Sequence, residues 1–149
     1  MSDAFDRLVA DLRRLNGSAQ IGALDETNAT KLSYSEFGTP TEQPRPTLSA
    51  AFDANKAAIQ RAIDRRVGVV LDGKSETGGR RIMAEVGETY RELVVEAIDG
   101  DTPPANAPST LAAKRRKGQG DRTLVATGVM RDSIRVESKD DAKAWPDEE

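Results

Sequence analysis

The stretch TLSAAFDANKAAIQRAIDRRVGVVLDG, residues 47–73, decides the fold. Leu48, Phe52, Ile59, Ile63, Val67, Val70 and Leu71 fall on one stripe of an amphipathic helix that begins at about Thr47, and Asp72-Gly73 supplies its stop. Gly68 weakens this helix by about 1 kcal/mol relative to Ala. After a polar break from Lys74 to Gly79, a second stripe of Ile82, Val86, Tyr90, Leu93, Val94, Ala97 and Ile98 runs to Asp99-Gly100. The short break predicts an antiparallel pair of helices, and stripes about 100° wide leave each helix able to cover a sheet as well as its partner.

Toward the N-terminus, Ala19, Ile21 and Ala23 alternate with Gln20 and Gly22, and Leu32 and Tyr34 alternate with Ser33 and Ser35. Alternation of this kind predicts a hairpin of two short strands around a polar Asp25-Glu26-Thr27-Asn28 connection, apolar on one face and wet on the other. Gly38, Pro40, Pro44 and Pro46 forbid regular pairing and predict an extended loop. Ahead of the hairpin, Phe5, Leu8, Val9, Leu12 and Leu15 share a helical face, with Ser2 as its cap, Arg13 and Arg14 in the last turn and Gly17 beyond. Packing of that face on the protein's own core is the expectation, and a partner-binding arm is the alternative.

Toward the C-terminus the chain enters a Pro-rich arm, residues 100–124. Ser109 is positioned to cap a short helix from Thr110 to Lys117, closed by Gly118, in which Lys114, Arg115, Arg116 and Lys117 suit the negative end of the dipole. Met130, Ile134 and Val136, with Ser133 and Arg135 between them, predict a last strand from about Ser133 to Ser138. The charged segment 139–149, which holds Trp145, predicts a flexible acidic tail. The predicted fold class is therefore α+β: a small antiparallel sheet packed against two long antiparallel helices, with an N-terminal helix and a long Pro-rich arm, all in one domain over residues 1–138.

Composition narrows the function. With 37% hydrophobic, 4% aromatic and 32% charged residues among 149, the chain has little large apolar surface with which to offset the entropy of ordering, which predicts a thin core and favours oligomerisation. There is no Cys and no His, so disulfides, thiolate metal sites, cysteine nucleophiles and the commonest general base are excluded. Carboxylates, Lys and Ser have no recognisable catalytic spacing, and the expectation is a protein that is not an enzyme and carries no metal or cofactor. No apolar run approaches the roughly 18 residues that span a bilayer, and polar Ser2 and Asp3 stand where a secretory leader would be basic, so no membrane is expected and the compartment is a soluble one. The basic run Lys114–Lys117 with Arg122 invites a nucleic-acid reading, yet no aromatic is interleaved for base stacking and the net charge is −3. Gly78-Gly79-Arg80-Arg81 lacks the spacing of a phosphate-binding loop and reads as a connection between helices.

Two segments carry a resemblance. The first is Leu32-Ser33-Tyr34-Ser35-Glu36-Phe37-Gly38-Thr39-Pro40 leading to Arg45-Pro46 and a helix. The second is Thr102-Pro103-Pro104 through Pro108-Ser109-Thr110-Leu111-Ala112-Ala113-Lys114, followed by Leu124-Val125-Ala126-Thr127-Gly128-Val129-Met130-Arg131-Asp132-Ser133-Ile134. Together and in this order they resemble the neck or tail-completion proteins of long-tailed bacteriophages, the virion-morphogenesis or head–tail joining family. That family has an aromatic-polar-Glu-Phe-Gly-Thr turn before Pro-Ala-Arg-Pro-Phe, then Pro-Leu-Ser-Pro-Ser-Thr-Ile-Ala-Arg-Lys-Gly and Leu-Ile-Asp-Thr-Gly-x-Met-x-x-Ser-Ile. Here Ala126 replaces the usual Asp, Thr47 stands where Phe is common, and a basic insertion follows Lys114.

The resemblance implies a structural virion protein that forms a ring, hexamer before dodecamer, at the junction of head and tail. Its neighbours would be connector or head-completion proteins and tail terminator or tube proteins, with genomic DNA passing through the lumen without sequence-specific binding. It would reside in the virion after assembly in the host cytoplasm. A tail terminator is the alternative within phage assembly, and a nucleic-acid-binding regulator using the 114–122 loop is the alternative outside it. Contacts to neighbouring subunits or partners would fall on Glu36, Phe37, Gly38, Pro40, Arg45 and Pro46, and on Pro103, Pro104, Pro108, Leu111, Lys114, Arg115, Arg116, Lys117, Thr127, Gly128 and Met130. Locally, Gly38 would end a strand in a conformation costly for other residues, with Phe37 anchoring the loop. The arm's prolines would pre-extend it, Leu111 would offer an apolar anchor, and Thr127-Gly128 would turn it back to the sheet.

Overall fold

The computed structural model describes residues 3–23, 25–100, 103–121 and 128–139. Along the chain these form α1 (Asp3–Arg14), β1 (Ser18–Ala23), α2 (Glu26–Phe37), α3 (Leu48–Leu71), α4 (Gly79–Asp99), α5 (Pro108–Arg116), α6 (Val129–Asp132) and β2 (Ile134–Lys139). The fold is α+β, with β1 and β2 paired as a two-stranded antiparallel sheet. The two long helices lie where their aliphatic stripes predict. Asp72-Gly73 ends α3 as read: Gly73 N–H donates to Val70 O at 2.9 Å and Lys74 N–H to Val69 O at 3.0 Å, which satisfies carbonyls the helix leaves open.

The predicted hairpin is corrected. Residues 26–37 are helical, and the partner of β1 is the distant β2. Asp25 caps α2: its carboxylate accepts from Asn28 N–H at 2.9 Å and from the Asn28 side-chain amide at 2.9–3.0 Å. That side-chain bond, then the one from the Asn28 backbone, holds the Asp25 carboxyl below its ordinary pKa. The inward positions of α2 are Asn28, Leu32 and Glu36, spaced four apart, and because two of them are polar the helical period was invisible as hydropathy.

Two compact units divide the chain: Met1–Gln20 with Lys56–Thr89 and Val136–Glu149, and Ile21–Asn55 with Tyr90–Arg135. In the first, Val70 of α3 and Ile82 and Val86 of α4 are buried together, with Leu15, Ile59, Ala62 and Ile63 against them. The strands come down on α4 at Gly87, where a Cβ would meet Val136 Cγ1 at 2.6 Å and Ala19 Cβ at 3.5 Å, so this close approach requires glycine. In the second, Ala51 of α3 packs with Val94 and Ile98 of α4 and Ile134 of β2, bordered by Ile21, Leu48 and Tyr90. The late residues of α3 meet the early residues of α4, and the early meet the late, as an antiparallel pair demands.

The expected docking of the α1 apolar face on the core holds only in part: Leu15 packs against Val70, Ile82 and Val86 and Val9 is half-buried, but Phe5, Leu8 and Leu12 are 51%, 45% and 38% exposed, and the buried residue of the helix is Asp11. Within α1, Asp11 Oδ1 accepts from Arg14 Nη2 at 2.6 Å, and the Arg7 guanidinium lies against Gly73 in the turn after α3.

Candidate functional site

The first of the two family-like segments runs from α2 into α3, within the second unit. Glu36, the last residue but one of α2, is buried, and its carboxylate accepts from Leu48 N–H at 3.1 Å, from Ser49 N–H at 2.8 Å and from the Ser49 hydroxyl. One helix thus caps the next, with a negative charge at the end where the α3 dipole favours it. Thr47, at the cap position itself, is buried, and its Oγ1 has no partner among the described residues. Tyr90 of α4 closes the same corner, donating its hydroxyl to Leu48 O and setting its ring edge-on to Phe52 at 5.8 Å between centroids. Burial first, then the carboxylates of Glu36 and Asp53, push the Tyr90 phenol above its ordinary pKa.

Gly38 does what the sequence predicts of it, although it ends a helix rather than a strand. Its φ is 76°, its N–H reaches Tyr34 O at 2.8 Å, and a Cβ would come 2.8 Å from Glu42 O. The loop beyond folds back through a bridge between Thr39 and Glu42, and Arg45 N–H donates to Ser35 O at 2.6 Å. Phe37 does not anchor this loop. It is 80% exposed and Tyr34 is 55% exposed, because the inward face of α2 belongs to Glu36 and Leu32, and the residue after Glu36 points about 100° away. Pro40 and Pro46 are exposed as well.

Arg45 joins this segment to the second. Its Nε donates to Pro104 O at 2.8 Å and its Nη2 approaches Ala105 O at 3.5 Å, across 59 and 60 residues of chain. Pro103 and Pro104 form a bend with a cis peptide between them, where an extended run was expected. The short arm helix α5 starts one residue before Ser109, on Pro108, and Ala107 at its N-cap offers no side-chain bond, so Ser109 is not the cap. Gly118 closes it as read: Gly118 N–H donates to Arg115 O at 3.1 Å and Gln119 N–H to Lys114 O at 2.9 Å.

Leu111 and Lys114 on α5 are half-buried, while Arg115, Arg116 and Lys117 are exposed. The cations do not stand as a free row. Arg115 pairs with Asp121 through Nη2–Oδ2 at 3.0 Å, and Asn106 donates to Asp121 O at 3.0 Å, so the arm closes on itself. Arg115 holds the Asp121 carboxyl below its ordinary pKa, chiefly through that side-chain hydrogen bond. Gly128, at φ 79°, is the N-cap of α6, and Met130 is half-buried on that helix with its carbonyl accepting from Ser133 Oγ at 2.6 Å. Arg131 ties α6 to Asp99 at 3.0 Å and pairs with its neighbour Asp132 at 2.8 Å. Thr127, Arg122 and the acidic tail from residue 140 lie outside the described residues.

The structure therefore brings Glu36, Gly38, Arg45 and Pro104 into the same region of the second unit and pairs one α5 cation, Arg115, with its own loop. Sequence reasoning missed a cavity of about 450 Å³ in the first unit, lined by Arg65, Arg66, Val69, Ser75, Thr77, Arg81, Ile82 and Glu85. Glu85 bridges Arg66 at 3.1 Å and Arg81 at 3.3 Å, and those two bonds, Arg66 first, keep its carboxyl below the ordinary range. The Arg81–Glu85 spacing of four was visible in sequence, but Arg66 joins them only through the pairing of α3 with α4. Among the described residues no three His, Cys, Asp or Glu side chains gather as a metal site would, and no helix is long and apolar enough to cross a membrane.

No protein-family model, no curated protein and no solved structure matches the chain.

Proposed function

We propose that this chain is a structural component of a long-tailed bacteriophage, forming a ring at the junction of head and tail and joining connector to tail around the passing DNA. One observation carries the reading: the two segments that resemble the head–tail joining family meet through Arg45 on Pro104 and Ala105, although 59 residues of sequence separate Arg45 from Pro104. The bond brings the loop after Gly38 together with the start of the arm, near an outward Phe37. The thin core and the exposed aromatics support a subunit that completes its apolar burial against neighbours. No catalytic role is assigned to any residue.

The test is assembly. Purified protein, alone and mixed with the connector and tail proteins encoded beside it, is followed by analytical ultracentrifugation and negative-stain electron microscopy. Rings, with six subunits expected before twelve, support the proposal; protein that stays monomeric at high concentration and with those partners sinks it. Addition to polymerising tube protein separates the tail-terminator reading, since a terminator stops tube growth and a joining protein does not. Salt-sensitive DNA binding that is lost on neutralising Lys114, Arg115, Arg116 and Lys117, without any ring, would favour a regulator instead.

A further inference from the structure

We propose that the cavity in the first unit, where the end of α3 meets the start of α4, binds a small phosphomonoester. Its dianionic phosphate is held by Arg65, Arg66 and Arg81, and its organic part lies on Val69 and Ile82. The three guanidiniums line a space of about 450 Å³ in which Glu85 is the lining carboxylate. Other carboxylates close in sequence are engaged elsewhere: Asp64 accepts from Gln60 at 2.8 Å, and Asp72 pairs with Lys74 at 3.2 Å. Positive charge is thus left in excess at the cavity, and like charges held together there repel until an anion joins them.

Donors outnumber acceptors as well. Glu85 takes both of its arginines by Nε, at 3.1 Å from Arg66 and 3.3 Å from Arg81, and so holds each guanidinium by one edge. Arg66 Nη1 reaches Ala62 O at 3.3 Å. Among the described residues, Arg66 Nη2, both Nη nitrogens of Arg81 and the whole Arg65 fork have no acceptor. Ser75 Oγ and Thr77 Oγ1 share one hydrogen bond at 2.8 Å, so one of their two hydroxyl hydrogens remains to donate. A tetrahedral oxyanion with two charges uses planar guanidinium forks and a hydroxyl donor together. The positive end of the α4 dipole, whose first turn supplies Arg81 and Ile82, adds to the same field. Ile82 and Val69 give an apolar wall for an organic group, and no aromatic lines the cavity to stack a base. The site stands independently of the head–tail reading, since it uses none of the residues that carry the resemblance.

Isothermal titration calorimetry of the full-length protein with ribose 5-phosphate, inorganic phosphate and ribose tests the site. Ribose 5-phosphate should bind one to one and more tightly than inorganic phosphate, and ribose should not bind. Arg65→Gln and Arg81→Gln, both at exposed positions, should each weaken ribose 5-phosphate by about tenfold while the circular dichroism spectrum stays unchanged. Lys56→Gln removes an exposed cation of α3 more than two turns from Arg65 and should leave the affinity unmoved. An oligonucleotide with unphosphorylated ends should not compete. No binding of either phosphate compound at millimolar concentration, an affinity that Arg65→Gln and Arg81→Gln leave unmoved, or an equal loss in Lys56→Gln would each overturn the proposal. Displacement by the oligonucleotide would overturn it in favour of a nucleic-acid backbone.

Discussion

Among the described residues the buried Thr47 hydroxyl has no partner, because Glu36, arriving from another helix, occupies the first amides of α3 that a cap residue would otherwise take. Thr47→Val keeps the shape and removes the unsatisfied oxygen, so it should be neutral or stabilising by up to about 1 kcal/mol in urea unfolding. Glu36→Ala should cost about 2 kcal/mol, since it strips two backbone amides and the Ser49 hydroxyl of their acceptor. In that background the amides are free for Thr47, and Thr47→Val should turn destabilising; additive effects of the two changes would refute a shared cap. Tyr90 gives a pH signature in the same corner. Burial and the nearby carboxylates raise its pKa above 10.0 in the folded state, so the unfolded chain ionises first as pH rises. The stabilisation is complete below about pH 10 and is lost as pH climbs through the higher folded-state value. An ultraviolet absorbance titration in a Tyr34→Phe background reads it, and a Tyr90 midpoint at or below the ordinary tyrosine value would contradict the burial.

Among the elements, the arm depends on Arg45 for its tie to the loop between α2 and α3. Lysine cannot reproduce a planar fork on two successive carbonyls, so Arg45→Lys should cost about 1 kcal/mol and chiefly loosen the arm. Hydrogen exchange over residues 103–121 should speed up while exchange in the α4 core, around Val94 and Ile98, stays slow. Unchanged protection of the arm would mean that its own Arg115–Asp121 and Asn106–Asp121 bonds suffice to hold it. The elements that were legible in sequence are those whose buried face is aliphatic: α3 and α4 show their stripes openly, and Ile134 and Val136 announce β2. Leu32 to Ser35 reads as a strand because the buried face of α2 is Asn28, Leu32 and Glu36, so the polar inward positions hide the helical period and leave Leu32 and Tyr34 to mimic alternation. α1 is legible as a helix and only partly in its orientation: Leu15 of its apolar face packs on Val70, Ile82 and Val86, while Phe5, Leu8 and Leu12 stay exposed. The candidate site divides likewise: Gly38 followed from its neighbours, while the Arg45 bond to Pro104 depends on tertiary folding that no local pattern encodes.

At the scale of the whole molecule, the large apolar side chains are poorly used by the monomer. The buried clusters are small and aliphatic, Val70 with Ile82 and Val86 in one unit and Ala51 with Val94, Ile98 and Ile134 in the other, while Phe5, Tyr34, Phe37 and Val129 face outward. Apolar surface buried on association stabilises by roughly 25 cal/mol per Å², so these side chains retain most of their driving force for an assembly. Phe37 separates folding from assembly most cleanly, because at 80% exposure it contributes little to the fold. Phe37→Ser should leave the thermal midpoint of the isolated chain nearly unchanged, within the roughly 0.5 kcal/mol typical of surface changes, and on the proposed head–tail reading it should reduce ring formation on connector particles counted by electron microscopy. A variant that assembles as well as the wild type would remove Phe37 from the interface. One that unfolds at markedly lower temperature would show that α2 packs by a face other than Asn28, Leu32 and Glu36, and with that face would go the cap that Glu36 places on α3.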